Sequence, residues 1–380
     1  RRDPAQVMRL SRLGSLHQCR LSFMRILTRR MAREGWKFSR PIYNIDDRGV
    51  GHAVYSVQTP DRIYSLVAFA HDLPDDLRSD RVIAEAWDAT FTLFDGMPDA
   101  ADIERLSQNV PLQEAGRVSE RQFVLSRANR SVRLFKYVVD RLAAGEQPDP
   151  AQIDPVGYLM RTTAVYGSGK FGAADRDYWS DRSEFNGSFQ PELLSVWLIR
   201  SFTIDLVEHM AKVKNPNLCV KLSADIRRSL GVGNSTGLGM APFLMNHPDL
   251  LHAWIDARET ALARIRNVGS ISSASLERFR SFVDRAAVNA TGWNSDHPIQ
   301  QVKLASLRED LDKLTHHLSS PEYGRDASWD ALYCWSEDHL SLEGQEQLVS
   351  LMMEVNEDLV DNLAATMDAD ENVGFRIDGK

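Results

Sequence analysis

The sequence contains no long uncharged apolar run. A membrane-spanning helix requires roughly 20 predominantly apolar residues. The most apolar segment, residues 193–213, is interrupted by Arg200, Asp205 and Glu208. The opening residues, Arg1-Arg2-Asp3, lack the apolar region of a secretory signal. We therefore expect a chain that does not interact with membranes.

Cysteine is scarce as well. Cys19, Cys219 and Cys334 are far apart, and no CxxC pair is present. This usage is typical of a reducing compartment, and we expect a cytoplasmic protein. HExxH is absent, and the adjacent His316 and His317 would point in different directions on a helix. The sequence therefore predicts a metal-independent protein and names no cofactor.

The composition is that of a globular protein. Hydrophobic residues make up 43% and charged residues 26% of 380 residues, with a formal charge of −8. Disordered, collagen-like and rod-like chains have different compositions. The length suffices for one large domain or two ordinary domains.

Charge is distributed unevenly along the chain. Residues 1–40 carry eleven basic and two acidic residues, a charge of +9, so the other 340 residues carry −17. Apolar residues recur in this segment at helical spacing, which predicts a basic amphipathic helical arm. Such an arm binds nucleic acid or docks on an acidic body, its own or that of a second subunit. Because the body would repel a polyanion, we favour a homodimer through the arm over nucleic acid.

Residues 41–98 resemble strands and turns more than helices. Two alternating segments flank Asp46-Asp-Arg-Gly49, which is typical of a hairpin turn. A third strand follows over residues 63–69, and residues 82–94 fit either a strand or a helix. We expect a small antiparallel sheet of three or four strands.

From residue 99 onward the pattern is predominantly helical. The predicted helices span residues 119–144, 151–164, 190–213, 222–229, 248–267, 273–288, 298–318 and 341–367. The fold class is thus predicted to be mainly α, with a small N-terminal antiparallel β subdomain and a multi-helical core. The predicted organisation is an arm over 1–40, the β subdomain over 41–98 and a helical domain over 99–380.

Two glycine-rich segments are the strongest candidates for ligand binding. Glycine lets the backbone approach a ligand closely and expose N–H groups to an anion. The first segment is Tyr166-Gly-Ser-Gly-Lys-Phe-Gly172, which departs from the Walker A pattern. Its predicted ligand-binding residues are Gly167, Ser168 and Gly169. Lys170 would supply positive charge, and a surface turn with an incidental lysine is the alternative.

The second segment is Leu230-Gly-Val-Gly-Asn-Ser-Thr-Gly-Leu-Gly-Met-Ala-Pro-Phe243. It leads into a predicted helix N-terminus, a favourable position for an anion. The predicted ligand-binding residues here are Gly233, Asn234, Ser235, Thr236 and Gly237. The Ala-Pro-Phe ending resembles the pyridine-nucleotide loop of ferredoxin-reductase-like enzymes over a few residues, without their parallel α/β pattern. A helix connection that needs glycine for close packing is the alternative.

Further candidates lie elsewhere in the chain. Arg130 and Arg133 would share one face of the predicted helix 119–144, where paired arginines recognise carboxylates or phosphates. Tunable groups for proton transfer are Lys170, Tyr166 and Glu184.

The leading hypothesis is a metabolic enzyme that performs acid–base chemistry on an anionic small molecule held between both glycine-rich segments. Lyase, isomerase or transferase chemistry is favoured over hydride transfer. One alternative is a nucleic-acid-binding or assembly protein that uses the arm. Another is an oxidoreductase that binds a nucleotide cofactor without a Rossmann motif.

Overall fold

The computed structural model describes residues 19–78, 86–108, 121–167, 181–187, 190–231, 248–295, 298–320, 323 and 327–367. These residues form two compact units. One contains residues 27–231, and the other contains residues 19–26 and 248–367.

The first unit is built on an antiparallel sheet whose six strands pair in chain order. The strands are β1 (Lys37–Ile45), β2 (Gly51–Gln58), β3 (Ile63–Ala70), β4 (Ala89–Asp95), β5 (Gln122–Arg130) and β6 (Met160–Gly167). Its helices are α1 (Phe23–Arg33, which begins in the other unit), α2 (Ala100–Ser107), α3 (Phe135–Ala143), α4 (Pro150–Ile153), α5 (Gln190–Lys214) and α6 (Ala224–Ser229).

The predicted turn at Asp46–Gly49 joins β1 to β2, which pair in antiparallel register. The Asp46 carboxylate accepts hydrogen bonds from the backbone N–H groups of Arg48 and Val50, each at 2.9 Å. Gly49 has a φ of 78°, a conformation that other residues rarely adopt. Local side-chain chemistry therefore fixes the register of the first hairpin.

Helix α5 covers one face of the sheet. The ring of Phe202 on α5 lies 6.2 Å from that of Tyr55 and 5.4 Å from that of Phe91. The opposite face packs a separate apolar cluster that includes Val67, Phe94 and Leu106 of α2. Because both faces are covered, the central strands are buried throughout and lose the alternation of a half-exposed strand.

All the regular secondary structure that the structure describes in the second unit is helical. Its helices are α7 (Pro248–Arg266), α8 (Ser273–Gly292), α9 (Pro298–Leu318), α10 (Trp329–His339), α11 (Leu342–Val355) and α12 (Glu357–Val360). A 3₁₀ helix, Asp361–Met367, follows α12. No described helix of either unit has both the length and the apolar character to cross a membrane.

The described start of the basic arm docks on its own chain. Arg20 forms hydrogen-bonded ion pairs with Asp361 at 2.5 Å and with Glu354 at 3.2 Å. Arg25 pairs with the other carboxylate oxygen of Glu354, and Leu21 is fully buried. The positive charge of residues 19–26 is thus neutralised within the second unit.

The predicted fold class, mainly helical with an N-terminal antiparallel sheet, is confirmed. The sheet is larger than expected, because the predicted helix over 119–144 is wrong in its first half. Residues 122–130 form β5, and only residues 135–143 are helical. The predicted helix 151–164 is likewise replaced by the short α4 and the start of β6, and α10 was not predicted.

Gly344 on α11 offers a test of packing in the second unit. A Cβ atom there would lie 2.8 Å from both Cβ and Cγ of buried Asp310. The Asp310 carboxylate accepts hydrogen bonds from the backbone N–H and hydroxyl of Ser341, so it cannot move away freely. We expect Gly344→Ala to lower the free energy of unfolding by about 1–3 kcal/mol, because overpacking outweighs the better helix propensity of alanine.

Gly292→Ala is the matched control, because nothing lies within 4 Å of its added Cβ. That variant should be neutral or stabilising by up to ~1 kcal/mol. Calorimetric unfolding measures both changes. Equal stability of Gly344→Ala and the parent would contradict the packing at this helix contact.

Candidate functional site

The antiparallel register brings alternate strand termini to the same end of the sheet. Strands β2, β4 and β6 end there, while β3 and β5 begin there. Tyr64 pairs directly with Asp95, and Val124 pairs with Gly167. We call this end of the sheet the Glu184 end, because residues 181–187 return to it after β6.

Glu184 is buried at this end within a short 3₁₀ turn, Ser183–Phe185. The Tyr64 hydroxyl donates a hydrogen bond of 2.7 Å to its Oε1 atom, and the Thr59 hydroxyl lies 3.5 Å away. Over the described part of the chain, no lysine or arginine forms an ion pair with this carboxylate. Glu184 is therefore a buried carboxyl group whose closest hydrogen-bond partner is a neutral hydroxyl group.

Tyr64 is held as a proton donor. Burial raises the pKa of its hydroxyl well above the ordinary value of 10.0, and the hydrogen bond to Glu184 acts in the same direction. The Tyr64 ring lies 4.6 Å from that of Phe185 and 6.0 Å from that of Phe123. These aromatic contacts fix the orientation of the hydroxyl toward Glu184.

Arg182 connects the returning segment to the sheet. Its Nη2 and Nη1 atoms donate to the Asp95 carboxylate at 2.9 and 3.1 Å. The guanidinium carbon lies 4.8 Å from the centroid of the Phe123 ring, and Nη1 is 3.5 Å from the Tyr64 hydroxyl. A bidentate pair of this kind is strong and directional, so it holds residues 181–187 in place.

The structure brings three of the predicted site residues to the Glu184 end. Tyr166 and Gly167 are the last residues of β6, and Glu184 lies at the same edge. The other predicted residues of both glycine-rich segments lie outside the described residues: Ser168, Gly169, Lys170, Gly233, Asn234, Ser235, Thr236 and Gly237.

Arg130 and Arg133 do not share a helix face. Arg130 is the last residue of β5, and its backbone N–H donates to Asp88 at 2.8 Å. Arg133 is exposed in the turn before α3. The positions of Asp88 and Asp95 bracket β4, which separates them by roughly 23 Å of extended chain. Arg130 therefore lies at the opposite end of the sheet from Glu184.

Sequence reasoning missed Tyr64, Asp95 and Arg182. Tyr64 and Asp95 become neighbours only through the β3–β4 register, which no local pattern specifies. Arg182 lies in a polar segment that is rich in acidic and aromatic residues. That composition was the one feature of the sequence that could have pointed to Arg182 as a site residue. The described residues include no group of three or more His, Cys, Asp or Glu that could hold a metal ion.

Comparison with known proteins adds no further constraint. No protein family matches the chain. No curated protein and no solved structure shows significant similarity to it either.

The Arg182–Asp95 pair yields a test of how the site is anchored. Arg182 is 11% and Asp95 28% exposed in their side chains. Arg182→Met leaves the Asp95 carboxylate without its cation, so we expect the free energy of unfolding to fall by about 2–4 kcal/mol. Urea denaturation monitored by circular dichroism measures the loss.

Arg62→Met provides the matched control. The Arg62–Asp181 pair, at 3.3 Å, is far more exposed, and exposed pairs contribute up to about 1 kcal/mol. If both variants were equally stable, the Arg182–Asp95 pair would not be the anchor of this segment.

Proposed function

We propose that this protein is an enzyme that binds an anionic small molecule at the Glu184 end and transfers a proton with Glu184. The observation that supports the proposal is the buried Glu184 carboxyl group, which accepts a hydrogen bond from Tyr64 and forms no ion pair with a described lysine or arginine. The nearby Arg30 guanidinium donates to the Glu184 backbone carbonyl at 2.5 Å instead. Charged groups buried without an opposite charge are unfavourable for stability. They are common where acid–base chemistry is performed.

In this proposal each group has a distinct role. Glu184 accepts or donates the proton, and Tyr64 is a positioning residue that keeps one carboxyl oxygen oriented. Lys170, three residues beyond the end of β6, supplies positive charge to the ligand, and the neighbouring glycines expose backbone N–H groups. The ligand class is a carboxylate or a phosphate ester.

Two variants separate binding from chemistry. A panel of carboxylates and phosphate esters is first tested for a rise in the unfolding temperature. Lys170→Met should lower the affinity for the stabilising compound by roughly 10²-fold, because an ionic contact in a desolvated site is lost. Glu184→Gln should retain that affinity but slow exchange of the ligand C–H with deuterated water by about 10²–10⁴-fold, as followed by NMR.

Glu146→Gln is the control for the carboxylate change, because Glu146 pairs with Arg141 at the surface. It should alter neither affinity nor exchange. Unchanged exchange in Glu184→Gln, or unchanged affinity in Lys170→Met, would contradict the assigned role of that residue.

The predicted homodimer is a separate proposal. Arg20 and Arg25 are already paired within the chain, so we assign the dimer contact to the part of the arm that precedes them, residues 1–18. Light scattering of the full chain and of a variant that lacks residues 1–18 tests this. We expect a dimer that becomes a monomer on deletion, and a monomeric full chain would contradict the proposal.

A further inference from the structure

Arg130, at the end of the sheet opposite Glu184, is a buried cation with unused donors. The residue is 9% exposed. Its Nε and Nη2 atoms are both buried, and neither finds a hydrogen-bond acceptor among the residues that the structure describes. These two nitrogens form one edge of the planar guanidinium group, the edge that binds a carboxylate or phosphate with two parallel hydrogen bonds.

Asp88 is the nearest acidic residue, yet its carboxylate accepts no hydrogen bond from Nε or Nη2 of Arg130. One of its oxygens accepts from the Arg130 backbone N–H at 2.8 Å. The other accepts from Nε of Arg78 at 3.1 Å and remains 3.7 Å from Nε of Arg130. Arg78, Arg130 and Asp88 have side chains no more than 12% exposed, so this buried trio carries a formal charge of +1. Arg78 also pairs with Asp72 and Asp75, which are more exposed and therefore screened by water.

The N-terminus of α3 adds positive potential at the same place. The Arg130 guanidinium lies 4.8 Å from the ring of Phe135, the first residue of this nine-residue helix. The first turn of α3 contains no acidic residue. Ser131 accepts hydrogen bonds from the N–H groups of Leu134 and Phe135, at 3.2 and 3.1 Å, so the contribution of the helix is the positive end of its dipole, which favours an anion.

Gly49 approaches the guanidinium closely. A Cβ atom at this position would lie 3.0 Å from Nη2 of Arg130 and 2.9 Å from Sδ of Met210. Burial lowers the pKa of Arg130, and Asp88 only partly opposes that effect. The cation is thus held in an environment that an additional negative charge would stabilise.

We infer that Arg130 and the N-terminus of α3 form a binding site for a small oxyanion, the carboxylate or phosphate group of a ligand. This site is separate from the Glu184 end, and its existence does not depend on the proposed proton transfer. Bound oxyanion would accept hydrogen bonds from Nε and Nη2 and would leave Asp88 on the Arg78 side.

Inorganic phosphate and acetate serve as probes, each compared with sodium chloride at equal ionic strength. The unfolding temperature of the full chain should rise with at least one of the two anions, because a ligand that binds only the folded state stabilises it. Whether phosphate, acetate or both raise the unfolding temperature identifies the class of oxyanion that the site binds. Titration calorimetry then gives the affinity.

Arg130→Met should lower that affinity roughly tenfold or more, and Arg130→Lys should lower it less, since a lysine keeps the charge but not the two-donor edge. Arg141→Met is the matched control, because Arg141 lies in the last turn of α3 and pairs with Glu146. It should bind the anion like the parent.

No stabilisation by either anion beyond that of chloride would overturn the inference. So would equal affinity in the parent and in Arg130→Met. If Arg130→Met fails to fold, Arg130→Lys decides in the same way, because an unchanged affinity in that variant contradicts binding by the Nε–Nη2 edge.

Discussion

The packing of α5 across the sheet is the constraint on which the first unit depends. This helix buries most of its circumference, so the charged residues within it require partners. Asp205 accepts hydrogen bonds of 2.7 Å from both Tyr55 and Arg40, and Arg200 donates to the Leu230 carbonyl at 2.5 Å. Because these contacts reach β1, β2 and the segment after α6, they fix the position of the helix along the strands.

Strand order has a direct chemical consequence. In a sheet of sequential antiparallel strands, every second strand terminates at the same end of the sheet. Tyr64, Asp95 and the last residues of β6 therefore meet at one end, and Asp88 and Arg130 meet at the other end. Two of the candidates from the sequence, Glu184 and Arg130, thus belong to separate polar clusters. Long-range register, and not spacing along the chain, decides which charged groups can cooperate.

The sequence predicts those features that local chemistry controls. The Asp46–Gly49 turn and helices such as α5, α8 and α9 follow from turn residues and apolar periodicity. The region around β5 does not, because Phe123, Val124 and Leu125 are buried on both faces and show no period. Its arginines resemble an exposed helix face, yet Arg127 stacks on Trp87 at 4.6 Å. At the site, Glu184 was predicted from composition, whereas Tyr64 and Asp95 required the register.

Arg182 and Asp95 form a bidentate ion pair that anchors a segment. Glu184 forms no ion pair with a described cation, and Arg130 keeps two buried donors without a described acceptor. A buried charge with an imperfect partner is unfavourable for stability. Incompletely paired groups in a sheet that is otherwise well packed are the pattern expected where binding or chemistry opposes stability. The two proposals therefore concern positions 184 and 130, and the Arg182–Asp95 pair holds in place the segment that carries Glu184.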